Sequence, residues 1–445
     1  MTYDAVIIGG GLAGLSAGVN LAIQGKSVLL LEQRQYLGGR SHSFIDEATG
    51  DVVDNGQHLM MGCYHETRRY LRTIGSEHLA TLQPNLHIDF LRPYKDPAYL
   101  TCPSLPAPLH ILDGLMGLDT LSYGDRLRLL FVGIALLRTT AEKERRIESM
   151  TVDEWLNSLH QSIEAKRHLW NILAIGSLND DPTRASALPF FRVLRAAFLR
   201  SREDSSLLIP RVGLSELLVD PAVRYLGLCG GQIRTGQRIE KIVADGGKIE
   251  EIRTSSGEVV RARSYIAAVP YFDLFPLLEG HAGFAAPDQF ESVPIITVNL
   301  WFDSSVMTTD FAALLDARFQ WVFNKTRLHN ISAGSVRKPQ FLSLVMSAAG
   351  DFVNLEKDEL IGIALEDLGR VLPGVSQAKL VHSLVVKEKR ATFSPKPGME
   401  AVRPHTETSL GNFFLAGDWT NTGLPATIEG AILSGRHAAE KVVGR

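Results

Sequence analysis

The chain has 445 residues, too many for one small core, and its 45% hydrophobic and 21% charged content is that of a globular protein rather than a disordered or fibrous one. A formal net charge of -3 excludes a globally basic surface for nucleic acid. Cys63, Cys102 and Cys229 are the only cysteines and show no C-x-x-C spacing, which argues for a reducing compartment, against a zinc site, and for no metal.

No basic region precedes an apolar core at the start, and no uninterrupted apolar run reaches membrane-spanning length. The expected location is the cytoplasm, with peripheral contact on the inner face of a membrane left open. Residues 5–8 read as a strand, 13–24 as a helix and 27–31 as a second strand, which is a β-α-β unit. Gly9, Gly11 and Gly14 fall at G-x-G-x-x-G spacing on its first turn, with Leu12 and Ala13 between the last two. The first glycine suits a tight turn, the second lets backbone approach a pyrophosphate, and the third allows close helix packing. The N–H groups at the helix start favour a phosphate. Glu32, eighteen residues after Gly14, is placed to accept hydrogen bonds from ribose hydroxyls, with Gln33 beside it, and an acid there disfavours the 2′-phosphate of NADP.

A glycine-rich turn alone is weak evidence for a dinucleotide. Here strand, glycines, helix, strand and acid follow in order, and Gly38-Gly39-Arg40 with Ser41 and Ser43 continues them. This GGR-x-x-S segment resembles the second fingerprint of the FAD-dependent amine oxidase and carotenoid desaturase superfamily. The resemblance implies FAD, with Gly39 and Arg40 along its phosphates and ribityl chain. It also puts Gly56, Gln57 and His58, from the segment 51–61, near the flavin ring. The plain alternative is a polar turn between strands, with His58 only hydrogen-bonded.

Residues 64–74 read as a helix with Arg68, Arg69 and Arg72 on its polar side, and 93–108 as proline-rich loops and edge strands. The segment 125–139 is the most lipophilic helix. Leu127, Leu130, Phe131, Ile134 and Leu137 form one stripe, and Leu129, Val132 and Leu136 widen it nearly all round. Burial in a substrate domain is the preferred reading, a membrane interface the other. Thr151 and Glu154 form a capping box. Asn179 and Asp181 read as caps before a helix, with a cavity role the alternative. Residues 238–243, 248–253 and 259–269 read as a hairpin and a strand returning to the first sheet. The superfamily resemblance implies a backbone contact to adenine near Ile239. Residues 294–302 and 341–347 read as strands of a second sheet. Trp301, Phe302, Trp321 and Phe323 there are core by type, or else line a cavity. Near the end, the strand 412–416 leads to Gly417 and Asp418, and a helix begins near Ala426, Thr427 and Ile428. In the superfamily such an aspartate bonds the ribityl or pyrophosphate region, and the helix N-terminus faces the flavin edge where negative charge grows on reduction.

DNGQH at 54–58, LNDDPTRAS from Leu178, LLIPRVGLSEL from Leu207, KRATFSP from Lys389 and GDWTNTGLPATIEGA from Gly417 together resemble the squalene-associated flavoproteins of bacterial hopanoid pathways, the hydroxysqualene dehydroxylases. That resemblance implies reductive dehydroxylation of a C30 isoprenoid by hydride transfer from reduced FAD with loss of water. A long apolar substrate then needs an apolar tunnel, and a general acid must protonate the departing oxygen. His58, Tyr64 and Asp54, which follow the segment expected under the flavin, are the candidates for that acid or its support. A carotenoid-type desaturase or amine oxidase is the alternative, and a prenyl-protein escort without redox chemistry a more distant one. No second G-x-G-x-x-G occurs, so no nicotinamide domain is expected and the electron donor stays open. The expected fold is α/β: a Rossmann-like FAD-binding domain from 1–62, 205–275 and 390–445, with an inserted α+β substrate domain from 63–204 and 276–389.

Overall fold

The apolar segments beside the first glycines build one parallel sheet. In this computed structural model, which describes residues 3–138, 140–278, 290–329 and 339–444, its strand order is Gln232–Arg234, Val28–Leu31, Tyr3–Ile8, Ala262–Ala267, Phe413–Leu415. Every neighbouring pair is parallel. Residues 5–8 and 28–31 are all buried, because strands covered on both faces have no solvent side. The sheet draws on the start, middle and end of the chain, in an α/β arrangement.

Helix Leu12–Ile23 follows the first strand, and helix Ile428–Val443 packs on it. A Cβ at Gly435 would stand 2.2 Å from the Ala13 carbonyl oxygen, so the two helix backbones touch, and the Ser16 hydroxyl donates to the Ile432 carbonyl at 2.7 Å. Strands Ile239–Asp245, Lys248–Thr254 and Val259–Val260 form an antiparallel meander beside the sheet. Residues 259–269, read as one strand, divide at Arg261: the guanidinium turns to Glu251 on the meander at 2.5 Å, and Ala262–Ala267 then enters the parallel sheet.

The second sheet has seven strands in the order Leu380–Phe393, Ser292–Phe302, Gln340–Met346, Trp321–Asn324, Phe311–Leu314, His87–Arg92, Lys95–Thr101. Pro97 lies in its last strand, at an edge, where a residue without an N–H is tolerated. One face packs Leu344 and Ile296 against Leu360, Ala364 and Leu368 of helix Lys357–Val371. The other packs Phe323 and Val345 into a helical layer that includes Trp155, Trp170, Phe190 and Phe191. Within that layer Thr151 and Glu154 exchange both capping-box hydrogen bonds at the start of Val152–Ser158.

The helix read over 125–139 spans Tyr123–Arg138, and Thr139 lies outside the described residues. Its expected burial is corrected. Leu129, Val132 and Leu136 are buried, whereas Leu127, Leu130, Phe131, Ile134 and Leu137, the stripe at helical spacing, are 42–63% exposed. The helix thus buries one face and leaves the other largely exposed. A helix apolar nearly all round carries no polar face to tell which side that is.

Candidate active site

The two glycine motifs make a floor without side chains. Gly9 has φ +105°, and a Cβ on it would stand 2.6 Å from the Ala268 oxygen; a Cβ on Gly14 would stand 2.0 Å from the Gly9 oxygen. Gly14 therefore serves helix–strand packing and does not line the cavity. At Gly11 an added Cβ meets nothing within 4 Å, because it points into open space. Gly38 and Gly39, with φ of +95° and +59°, bring the second motif against the first, and the Gly38 N–H donates to the Gly10 oxygen at 2.8 Å. Gly11 caps helix Leu12–Ile23 with no side-chain acceptor, which leaves the first N–H groups of that helix for an anion.

At one end of this floor the buried Glu32 accepts from the Gly10 and Arg34 amides at 2.7 and 2.8 Å. Gln33 and Ile239 line the same end. In the middle, Arg40 donates to Asp418 at 2.7 Å and to the Ala391 carbonyl. Gly417, with φ +143°, leads into Asp418 and donates to the Ser434 hydroxyl at 2.8 Å. At the far end Thr427 caps helix Ile428–Val443, accepting from the Gly430 amide at 3.1 Å. One cavity of about 890 Å³ runs over all of this, lined also by Leu12, Ala13, Gly39, Gly56, Gln57, His58, Ala426 and Ile428. A bare glycine floor, an uncapped helix start, a buried acid and an arginine along one cavity are a donor and acceptor set that suits FAD, and the residues fit it.

Beyond the floor the cavity becomes apolar. Trp170, Phe190, Trp321 and Phe323 line it, and it continues past Leu129, Val132 and Leu136 to Leu130, Ile134 and Leu137 on the outer helix. Trp301 and Phe302, by contrast, are core residues. Asn179 lines the cavity but ends helix Asn171–Leu178 in a left-handed conformation, φ 52°. It donates to Thr392 at 2.9 Å and accepts from the Ala348 amide at 2.9 Å. Asp181 accepts from the Thr183 amide and hydroxyl, a local turn.

Of the three candidate acids, His58 and Tyr64 line the cavity. Burial, opposed by Asp54, holds the His58 imidazole below its ordinary value, and burial raises the Tyr64 phenol, which bonds to Thr427. At neutral pH His58 is thus uncharged and Tyr64 keeps its proton. Asp54 lies behind the cavity wall. Its carboxylate accepts from Lys325 at 2.7 Å, the Ser43 hydroxyl at 2.7 Å and the Leu214 amide at 2.9 Å. Burial works against its charge, but Lys325 and these donors hold it below the usual carboxylate range.

Sequence reasoning missed Glu388, Arg390 and Thr392, which line the cavity from the strand Leu380–Phe393. The KRATFSP segment marked that neighbourhood without assigning them. It also missed the buried Lys325, for which a lysine among mixed residues gives no signal. Among the described residues no group of three or more His, Cys, Asp or Glu is arranged to hold a metal.

Three comparisons bear on this arrangement. Residues 12–443 match the family described as flavin containing amine oxidoreductase. The chain is 30% identical over 452 residues to a hydroxysqualene dehydroxylase of Rhodopseudomonas palustris, covering 100% of this chain and 99% of that one. It is 28% identical to a hydroxysqualene dehydroxylase of Sinorhizobium fredii, over 99% and 98% of the two chains. In fold it resembles an oxidoreductase from Methanosarcina mazei, with a TM-score of 0.74 at 17% identity over 98% and 99% of the chains.

Proposed function

Because the chain belongs to the flavin-containing amine oxidoreductase family, we propose that it is an FAD-dependent oxidoreductase that reduces hydroxysqualene to squalene in hopanoid biosynthesis. The observation that carries this reading is the single cavity that joins a dinucleotide cradle to an apolar chamber. Full-length likeness to two hydroxysqualene dehydroxylases supports it. Bound in its reduced form, the flavin supplies a hydride.

The protein's own residues do the rest. The allylic C–O bond breaks, the oxygen leaves as water after taking one proton, and the carbon takes the hydride. Tyr64, the most acidic hydroxyl by type in the cavity, holds its proton at neutral pH and gives it to the departing oxygen, and the uncharged His58 supports the site by hydrogen bonding. Asp54 acts from behind the wall. The faces of Trp170, Phe190, Trp321 and Phe323 exclude water and favour the positive charge that develops on the allylic carbon. The exposed Leu130 and Leu137, which also line the cavity, dip with Leu127 into a membrane surface and receive the apolar substrate there.

The test is anaerobic. The flavoprotein is reduced chemically and mixed with hydroxysqualene while flavin absorbance and extracted lipids are followed. Reoxidation with squalene formed in proportion is the expected result. A flavin that stays reduced would overturn the reading and move polyenes and amines, offered to the oxidised protein, to the front.

A further inference from the structure

A buried cation stands directly behind the cavity wall. Lys325 follows strand Trp321–Asn324 of the seven-stranded sheet and opens the short helix Lys325–Leu328. Its side chain is 1% exposed, which makes it the one fully buried lysine among the described residues. Its ammonium donates to Asp54 at 2.7 Å and to the Gln57 side-chain oxygen at 2.5 Å. Both partners belong to the segment that runs from strand Val52–Asp54 into the cavity wall. Burying an ion pair costs much of what its attraction returns, and a methionine would fill the same volume, so stability alone is a poor reason for this lysine.

The geometry fixes something more specific. An ammonium has only donors, so the group Gln57 turns toward Lys325 must be its oxygen. Its amide nitrogen then faces away, and among the described residues its one approach is to the His58 carbonyl at 3.5 Å, beyond ordinary hydrogen-bond length. Gln57 lines the cavity. The lysine thereby commits this glutamine to presenting N–H donors, and no acceptor, to whatever occupies that part of the cavity.

We propose that Lys325 is a positioning residue for the flavin: through Gln57 it aims a side-chain amide N–H at the cofactor's acceptor edge, and through Asp54 it ties that loop to the substrate-side sheet. Donors facing an electron-rich ring favour its reduced form. A hydride donor has to be loaded in that form. The proposal rests on the flavin reading above but is independent of the substrate.

Two charge-neutral variants test it. Gln57→Leu keeps the Lys325–Asp54 pair and deletes the donors. Asp54→Asn with Lys325→Met removes the pair without stranding a charge, so that the amide can turn. Each is purified with FAD, and its midpoint potential and absorption spectrum are measured beside kcat and KM. The expected result is a lower potential and a shifted spectrum in both, with kcat about tenfold down and KM within about twofold. Wild-type potential and spectrum in Gln57→Leu overturn the proposal even if the double variant fails to fold. A lowered potential in a protein inactive on hydroxysqualene would uphold it while removing the substrate reading.

Discussion

Tyr64 and His329 show how burial sets the protonation of single side chains. Tyr64 keeps its phenol proton next to the cavity because a phenolate cannot be solvated there. Tyr64→Phe removes that proton and one hydrogen bond, so turnover should fall about 10²-fold while FAD content is kept and Tm shifts by only a few degrees, read by steady-state kinetics and thermal melts. His329, behind the wall near Lys325, is lowered to about 3 from 6.5, mainly by burial and then by the Lys325 charge. The unfolded chain takes up this proton first, so the stability concerned is complete above pH 6.5 and is lost as pH falls through about 3. Asp54, also held below its ordinary 3.8, adds acid lability of the same sign at the lower end of that range. In an acid titration followed by fluorescence, His329→Asn should unfold at a lower pH than the wild type.

At the scale of elements, helix starts do most of the positioning. The T-I-E-G-A segment was legible as a helix start, but not the partners of its Glu429 side chain, which caps a second helix. The carboxylate accepts from the Glu66 and Thr67 amides at 2.9 and 2.8 Å and from the Thr67 hydroxyl at 2.7 Å. Helix His65–Ile74, which Tyr64 precedes, is therefore capped by a residue from the other end of the chain. Glu429→Ala leaves three donors without their acceptor and should cost about 2–3 kcal/mol in chemical denaturation. The loosened Tyr64 should lower kcat in the same variant. No local pattern shows such a cap, because acceptor and donors are 362 residues apart.

For the whole molecule the informative contrast lies between neighbours on helix Tyr123–Arg138. Leu136 is buried and Leu137 is 63% exposed. Leu136→Ala should destabilise by roughly 2–4 kcal/mol through the cavity it leaves. Leu127→Ser with Leu137→Ser should leave Tm within a degree or two but reduce flotation with liposomes of anionic lipid. The helix has 16 residues, about 24 Å at 1.5 Å per residue. That is short of a bilayer core of about 30 Å, and no helix among the described residues is long and apolar enough to cross a membrane.

The sequence by itself determined the parts whose physics is local. Gly9, Gly11 and Gly14 at fixed spacing, an apolar strand on either side and Glu32 at the second strand end state a dinucleotide cradle, because turn, helix start and acid are consecutive in the chain. The paired glycines before Arg40 and the strand before Asp418 then marked the flavin type and the return of the C-terminus. Only the tertiary structure decided what depends on distant partners. Asp54 could be read as an acid but not as the counter-ion of Lys325, because an ion pair spanning 271 residues leaves no pattern in either segment. Trp301 and Trp321 look alike as strand aromatics, and packing alone sent one to the core and the other to the cavity. The side of helix Tyr123–Arg138 that faces protein was likewise fixed by its neighbours, since its own residues are apolar on both sides.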